Sequence, residues 1–129
     1  MNTILLVDDE PAMIKMLKWR LETTGFKVIS AISGLEALHT LQQTQVDFVI
    51  TDVRMPAMDG LTLIKKIKQV LKNNIPCLVM SGHGDIDMTG QAKEVGACGY
   101  IHKPIKFEEL EKIIQQNLSA TSQAPGLVH

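Results

Sequence analysis

Five short apolar runs alternate along this chain with longer segments in which apolar residues recur every three or four positions. The runs are rich in Val, Ile and Leu and are too short for helices, so each is expected to be a buried strand. They cover residues 3–7, 27–31, 47–51, 76–80 and 99–102. Continuous apolar strands separated by helices predict a parallel sheet covered on both faces, which is a doubly wound α/β fold.

The helical segments carry start and stop signals. The first helix is expected to follow Pro11 and to end near Gly25. The second opens with the capping-box pattern of residues 33–36, and Asp59 is a suitable cap for the third. The fourth is expected at about residues 85–95. The fifth has apolar residues at helical spacing, namely Phe107, Leu110, Ile114 and Leu118.

The length of 129 residues fits one domain. We place this domain at residues 1–118, because residues 119–129 are mostly small and polar and are typical of a tail or the start of a linker. The net charge is only −1 and there is no basic stretch, so direct nucleic-acid binding by this segment is not expected. No apolar run approaches the ~20 residues of a membrane span, and the beginning does not resemble a signal peptide. A cytoplasmic location is therefore expected.

Polar residues gather where the predicted strands end. The carboxyl ends of parallel strands meet at one edge of a sheet, where ligands collect in such folds. The residues at this edge are Asp8, Asp9 and Glu10 after the first strand, Asp52 after the third, Ser81 after the fourth and Lys103 after the fifth. Carboxylates held close together repel one another and favour a hard divalent cation such as Mg²⁺.

This set of side chains suits phosphoryl chemistry. A carboxylate can attack phosphorus to give an acyl phosphate, and catalysis of that transfer is mostly positioning and electrostatics. A metal, a lysine and a hydroxyl around one aspartate supply those parts. Any one of these aspartates alone could instead be a helix cap or a solvated loop residue, so the hypothesis depends on their joint placement.

Four segments make the chain resemble the receiver domains of two-component response regulators. They are LLVDDE at residues 5–10, DVRMPAMDG at 52–60, VMSGHG at 79–84 and YIHKP at 100–104. The resemblance extends from Ile4 to about Leu118 and is specific because the four occur in this order and spacing. It implies a flavodoxin-like, five-stranded parallel sheet of order 2-1-3-4-5 with five helices.

The resemblance also implies a phosphorylation site. Asp52 corresponds to the phosphoacceptor. Asp8 and Asp9 correspond to the acidic pair that holds Mg²⁺ together with Asp52, with Asp9 as a direct ligand and Asp8 acting mainly through water. The backbone carbonyl of Arg54, not its side chain, would be a further ligand.

A second group of residues corresponds to the family's switch. Lys103 would pair with Asp52 and then with the phosphoryl oxygens, and the Lys103–Pro104 peptide bond would be cis. Ser81 corresponds to the switch hydroxyl and Tyr100 to the switch aromatic residue. After phosphorylation Ser81 would move toward the phosphoryl group and Tyr100 would turn inward.

The resemblance implies a signalling module and not an enzyme with a separate substrate. A histidine kinase or a histidine phosphotransfer protein would donate the phosphoryl group, and the face formed by helix 4, strand 5 and helix 5 would regulate an output domain or effector protein. A phosphorylation-dependent homodimer is possible in this family. Alternatives are a stand-alone phosphoryl relay, a pseudo-receiver scaffold and an aspartyl-phosphate phosphatase; the adjacent Asp8–Asp9 pair and the Lys103–Pro104 step argue against the last.

Two further features stay open. None of the histidines matches a phosphoryl donor: His39 lies on a helix, His129 ends the chain, and His83 and His102 are expected near the site by sequence only. Gly90 is expected in the middle of the fourth helix, where glycine costs about 1 kcal/mol relative to alanine. That helix is either simply weaker or is kept loose so that the switch can move it.

Overall fold

The computed structural model describes residues 2–82 and 87–126, with side chains as far as residue 118. Within these ranges five strands alternate with five helices. The strands are β1 Thr3–Val7, β2 Lys27–Ala31, β3 Phe48–Asp52, β4 Cys77–Ser81 and β5 Gly99–His102. The helices are α1 Pro11–Thr23, α2 Gly34–Gln43, α3 Gly60–Gln69, α4 Thr89–Glu94 and α5 Phe107–Gly126.

All the strand pairs are parallel, and the sheet has the order β2-β1-β3-β4-β5. The predicted doubly wound fold and its strand order are therefore confirmed. The first strand lies near the centre, so the strand reversal falls between β1 and β3. This is the place at which open α/β sheets bind their ligands.

The sheet divides the buried side chains into two clusters. Successive residues of a strand point to opposite faces, so Leu5 and Val7 pack with residues of α2, α3 and α4, whereas Ile4 and Leu6 pack with residues of α1 and α5. The inner strands β1, β3 and β4 are thus covered on both sides. Burial on both sides explains why these strands are mostly apolar instead of alternating between apolar and polar residues.

The residues predicted to begin or end the first three helices do so in the structure. The Ser33 hydroxyl accepts a hydrogen bond from the Glu36 amide at 3.1 Å, and the Asp59 carboxylate accepts one from the Thr62 amide at 2.7 Å. Gly25 has φ +101° just beyond the end of α1, in a region that glycine occupies without steric cost. These local contacts fix where α1 ends and where α2 and α3 begin.

The predicted start of the fourth helix is wrong. Residues 85 and 86 lie outside the described part of the chain, and α4 begins only at Thr89. The Asp87 carboxylate accepts a hydrogen bond from the Thr89 amide at 3.1 Å, so residue 87 forms a turn in front of the helix. Gly90 therefore lies in the first turn of α4 and not in its middle, where the cost of glycine would be greatest.

Other boundaries shift by smaller amounts. The strands β3 and β4 each begin and end one residue later than expected, so Asp52 and Ser81 are the last residues of their strands. Helix α5 continues to Gly126 and includes residues 119–126, which were expected to belong to a tail or the start of a linker. Their role as a linker stays a prediction. Among the described residues, no helix is both long and apolar enough to cross a bilayer.

Candidate functional site

Three aspartates come together at the carboxyl edge of the sheet. Asp8 follows β1 directly and Asp52 ends β3, the strand beside it. Carboxylate oxygens of Asp8, Asp9 and Asp52 all lie within 4.8 Å of one another. Asp8 is fully buried and Asp52 nearly so, whereas Asp9 is exposed. The cluster thus has a buried floor and an open side.

Lys103 brings a positive charge to this cluster. Its ammonium lies 3.4 Å from Oδ2 of Asp52 and 3.6 Å from Oδ2 of Asp8. The backbone positions it, because the Lys103 amide donates to the Ser81 carbonyl oxygen at 2.8 Å. The Lys103–Pro104 peptide bond is cis. One lysine therefore contacts two carboxylates that neighbouring strands supply.

Burial dominates the electrostatics of both buried aspartates. Loss of hydration, opposed by the hydrogen bond from the Glu10 amide and reinforced by the nearby Asp52 carboxylate, raises the pKa of Asp8 to about 6. Burial also raises the pKa of Asp52, although Lys103 and the amides of Arg54 and Val53 lower it. One lysine does not offset the cost of placing two carboxylates here, so the site favours additional positive charge.

One oxygen of Asp8 shows where that charge is needed. Its Oδ1 accepts a hydrogen bond from the Glu10 amide at 3.0 Å. Its Oδ2 is buried and accepts no hydrogen bond from the residues that the structure describes. Buried carboxylate oxygens normally have a partner. A hard cation among the three aspartates would provide one, so the donor set fits Mg²⁺.

The site opens to solvent through a shallow depression of about 520 Å³. Asp8 lies beneath this depression, while the other acids and Lys103 reach its surface. A phosphoryl group could approach Asp52 from this side. The residues that line it are Asp9, Glu10, Pro11, Asp52, Arg54, Gly82 and Lys103.

The start of α3 packs directly against the backbone of Asp52. The Gly60 amide donates to the Val53 carbonyl oxygen at 2.9 Å. A Cβ atom on Gly60 would collide with the carbonyl oxygen of Asp52. The Thr51 hydroxyl donates to that same oxygen at 3.0 Å. Glycine at position 60 thus allows a close approach that fixes the backbone beneath the acidic cluster.

The loop between Asp52 and α3 contains a strained turn. The Met58 amide donates to the Pro56 carbonyl oxygen at 2.7 Å, and Ala57 between them has φ +68°. This is a γ-turn of the rarer, higher-energy kind. The turn leads the chain from the acidic cluster to the Asp59 cap of α3.

The predicted switch residues Ser81 and Tyr100 both contact His102, a residue to which the sequence analysis assigned no role. The Ser81 hydroxyl and Nδ1 of His102 are hydrogen-bonded at 3.1 Å. The rings of Tyr100 and His102 pack edge to face with centroids 5.2 Å apart. The Tyr100 hydroxyl accepts a hydrogen bond from the Met88 amide at 3.2 Å, immediately before α4.

The expectation that His102 lies near the site by sequence only is therefore wrong. Ser81 and His102 are direct partners in the register of β4 and β5, which brings their side chains into contact. His102 ends the predicted fifth strand and Ser81 directly follows the predicted fourth, so their places at neighbouring strand ends could have indicated the contact. His39 is exposed on α2, while His83 and His129 lie outside the described residues.

The fold and the site define a class: a doubly wound α/β domain with a lysine-paired acidic cluster at its strand reversal. The family model described as the response regulator receiver domain matches residues 4–115. The chain belongs to this family, whose members are signalling modules of two-component systems.

Known proteins of this family are similar over nearly the whole chain. The transcriptional regulatory protein GlrR of Escherichia coli is 36% identical over 121 residues, which are 94% of this chain and 27% of that protein. Sporulation initiation phosphotransferase F of Bacillus subtilis is 31% identical over 92% of this chain and 95% of its own length. The chain thus spans about a quarter of the first of these relatives and nearly all of the second.

The similarity extends to three dimensions. The crystal structure of a response regulator receiver domain protein from Clostridium thermocellum matches with a TM-score of 0.87 at 30% identity, covering 95% of this chain and 98% of that one. The recognised family and the observed fold therefore agree.

Proposed function

We propose that the chain is a phosphorylation-dependent signalling switch in which Asp52 accepts the phosphoryl group. The observation that carries this proposal is the contact of Lys103 with both Asp52 and the buried Asp8, beside the exposed Asp9. A carboxylate that is buried, paired with an ammonium and reachable from solvent is suited to act as a nucleophile toward phosphorus.

The donor is a phosphohistidine of a histidine kinase or of a histidine phosphotransfer protein. An oxygen of Asp52 attacks the phosphorus atom, the new P–O bond forms, and the P–N bond breaks as its electron pair returns to the imidazole. Lys103 lies close enough to Asp52 to pair with the phosphoryl oxygens afterward. The product is an acyl phosphate, which water later hydrolyses to restore the carboxylate.

The residues that would hold Mg²⁺ are Asp8, Asp9, Asp52 and the backbone carbonyl of Arg54. The buried Oδ2 of Asp8 supports this assignment, because it faces Lys103 at 3.6 Å but accepts no hydrogen bond from the described residues. When bound, the ion would neutralise charge that develops on the phosphoryl oxygens. Two of the three carboxylates of the cluster are buried and share one lysine, which leaves a net negative charge for a cation to neutralise.

Ser81 and Tyr100 are proposed to report the phosphorylated state. Ser81 would turn toward the phosphoryl group and Tyr100 would occupy the space left behind. The hydrogen bond from the Met88 amide to the Tyr100 hydroxyl supports this proposal, because any movement of that ring changes a contact at the start of α4. The face formed by α4, β5 and α5 would then regulate an output domain or an effector, directly or through a phosphorylation-dependent homodimer.

A stand-alone phosphoryl relay is the second candidate. The similarity to sporulation initiation phosphotransferase F along nearly its whole length favours it. In a relay, the phosphoryl group on Asp52 would pass onward to a histidine of another protein. Incubation of the phosphorylated chain with histidine phosphotransfer proteins, followed by detection of phosphohistidine, would separate a relay from a switch that acts on an output domain.

The direct test is intact-mass measurement after incubation with acetyl phosphate and Mg²⁺. We expect one labile adduct of phosphoryl mass on the wild-type protein and none on Asp52→Ala. Absence of an adduct with acetyl phosphate and with cognate kinases would contradict the proposal. Turnover of a general phosphatase substrate that Asp8→Ala abolishes and Asp52→Ala retains would instead indicate an aspartyl-phosphate phosphatase.

A further inference from the structure

His102 contacts Ser81 and Tyr100, the two residues that are proposed to move when Asp52 is phosphorylated. It lies opposite Ser81 in the register of β4 and β5, and its Nδ1 is 3.1 Å from the Ser81 hydroxyl oxygen. Its ring packs against Tyr100 at an interplanar angle of 71°. A side chain that touches both moving parts can influence when they move.

We propose that His102 is a positioning residue that holds Ser81 in the unphosphorylated arrangement and so sets how tightly the site retains a phosphoryl group. This inference depends on the proposed function. Besides the residues that carry out the phosphoryl chemistry, the site would then contain one residue, His102, that opposes activation.

The burial of Ser81 gives the hydrogen bond its effect. The residue is only 1% exposed, so its hydroxyl depends on a protein partner. If Ser81 turns toward a phosphoryl oxygen, its bond to His102 breaks. The imidazole is exposed and can bond to water instead. The bond therefore stabilises one of the two states selectively, which is the condition for shifting a conformational equilibrium.

The ring contact extends this effect toward α4. His102 packs on Tyr100, whose hydroxyl accepts a hydrogen bond from the amide of Met88. The path from Ser81 to the start of α4 thus consists of a hydrogen bond, a ring contact and a second hydrogen bond. Removal of the first contact alone should loosen the hold on Ser81 and leave the ring contact intact.

The test uses beryllofluoride with Mg²⁺, an analogue of the phosphoryl group, on the whole chain. His102→Phe keeps a ring beside Tyr100 but removes the atom that bonds to Ser81. His102→Asn keeps a polar atom near the position of Nδ1. His39→Phe is the matched control, since His39 is exposed on α2 and has no part in the site.

We expect His102→Phe to bind beryllofluoride about threefold to tenfold more tightly than wild type, the range given by loss of one hydrogen bond from the unliganded state. His102→Asn and His39→Phe should bind like wild type. In a Ser81→Ala background the effect of His102→Phe should vanish, because the bond is already absent.

Unchanged or weaker binding by His102→Phe would overturn the inference while leaving the proposed function intact. An equal gain of affinity in the Ser81→Ala background would also overturn it, because the effect would not pass through Ser81. Failure of wild type to bind the analogue would overturn the proposed function and this inference together. Thermal unfolding of each variant checks that the exposed substitutions leave the fold intact.

Discussion

The ammonium of Lys103 lies 3.4 Å from Oδ2 of Asp52, although the two residues are 51 positions apart in the sequence. The parallel order of β3, β4 and β5 creates this contact, because it places the ends of all three strands at one edge of the sheet. The same lysine also faces the buried Asp8. Its position makes it the residue best placed to link the charge on Asp52 to the rest of the domain.

Lys103→Ala should still form the phosphoryl adduct but should lose the structural response to it. Asp52 keeps its nucleophilic oxygen, whereas the charged hydrogen bond to the phosphoryl oxygens, worth roughly 1.5–3 kcal/mol, is gone. We expect beryllofluoride affinity to fall by about tenfold or more, as measured by titration. Lys106→Ala, which removes an exposed lysine three positions away, is the control. An unchanged response of α4 amide exchange to phosphorylation in Lys103→Ala would contradict this role.

The metal-free protein should lose stability as the pH rises from about 4 to 6. The pKa of Asp8 is raised from 3.8 to about 6 in the folded state. Between these values the unfolded chain releases a proton that the folded protein keeps, so the free energy of unfolding falls. The loss should reach about 1–3 kcal/mol above pH 6. Urea unfolding in EDTA across this range measures it.

Asp8→Asn should remove much of this pH dependence. The amide oxygen can keep the hydrogen bond from the Glu10 amide, and the buried charge disappears. At pH 7.5 in EDTA we expect the variant to be more stable than wild type by about 1–3 kcal/mol. It should gain less stability from Mg²⁺ than wild type does. A variant less stable than wild type in EDTA would show that burial of Asp8 carries no such cost.

Gly60→Ala should destabilise the protein by about 1–3 kcal/mol, because the new methyl group would displace the Asp52 carbonyl. The displaced backbone should also slow formation of the phosphoryl adduct. Gly90→Ala is the matched control: apart from its chain neighbours and its own helix backbone, no atom of the described residues lies within 4 Å of the added Cβ. Alanine favours the helix by at most about 1 kcal/mol. Equal stability of the two variants in urea unfolding would contradict the close approach of α3 to Asp52.

Ala57→Gly should stabilise the protein. Ala57 has φ +68° in its γ-turn, and glycine adopts such angles without the steric cost that a Cβ atom brings. Glycine also makes the unfolded chain more flexible, which offsets part of this benefit. The net increase in the free energy of unfolding is expected to be about 0.5–1 kcal/mol. Thermal unfolding measures this gain.

Gly25→Ala provides the reverse experiment for the turn at residue 57. Gly25 has φ +101°, and in the described part of the chain no atom beyond its two neighbours lies within 4 Å of an added Cβ, so only the backbone preference is changed. We expect this variant to be less stable than wild type. If Ala57→Gly and Gly25→Ala shift stability in the same direction, backbone strain does not explain the difference.

Much of the fold follows from local patterns in the sequence. Apolar runs of strand length and the cap residues Ser33 and Asp59 predict elements whose formation depends on nearby residues. The start of α4 was predicted wrongly because the hydrogen bond from the Thr89 amide to Asp87 forms a turn where the apolar pattern suggested a helix. A short polar contact can override a weak helical periodicity.

Part of the candidate site can also be predicted from the sequence. Parallel strands predict that Asp8, Asp52 and Lys103 share an edge, and the structure brings them together. Their family roles came from motif resemblance, and those roles stay predictions until phosphorylation is measured. Sequence reasoning misjudged His102, which lies within the YIHKP segment but has no role that the family resemblance implies.

The sequence by itself determined the alternation of strands and helices, the parallel sheet and the gathering of acids and lysine at its carboxyl edge, because these follow from hydrophobic periodicity and topology. Only the tertiary structure decided that Oδ2 of Asp8 has no hydrogen-bond donor among the described residues and that Ser81 bonds to His102. These contacts depend on strand register and side-chain direction across the sheet. Strand register and side-chain direction are set by the packing of the whole domain, so no local segment of the sequence determines them.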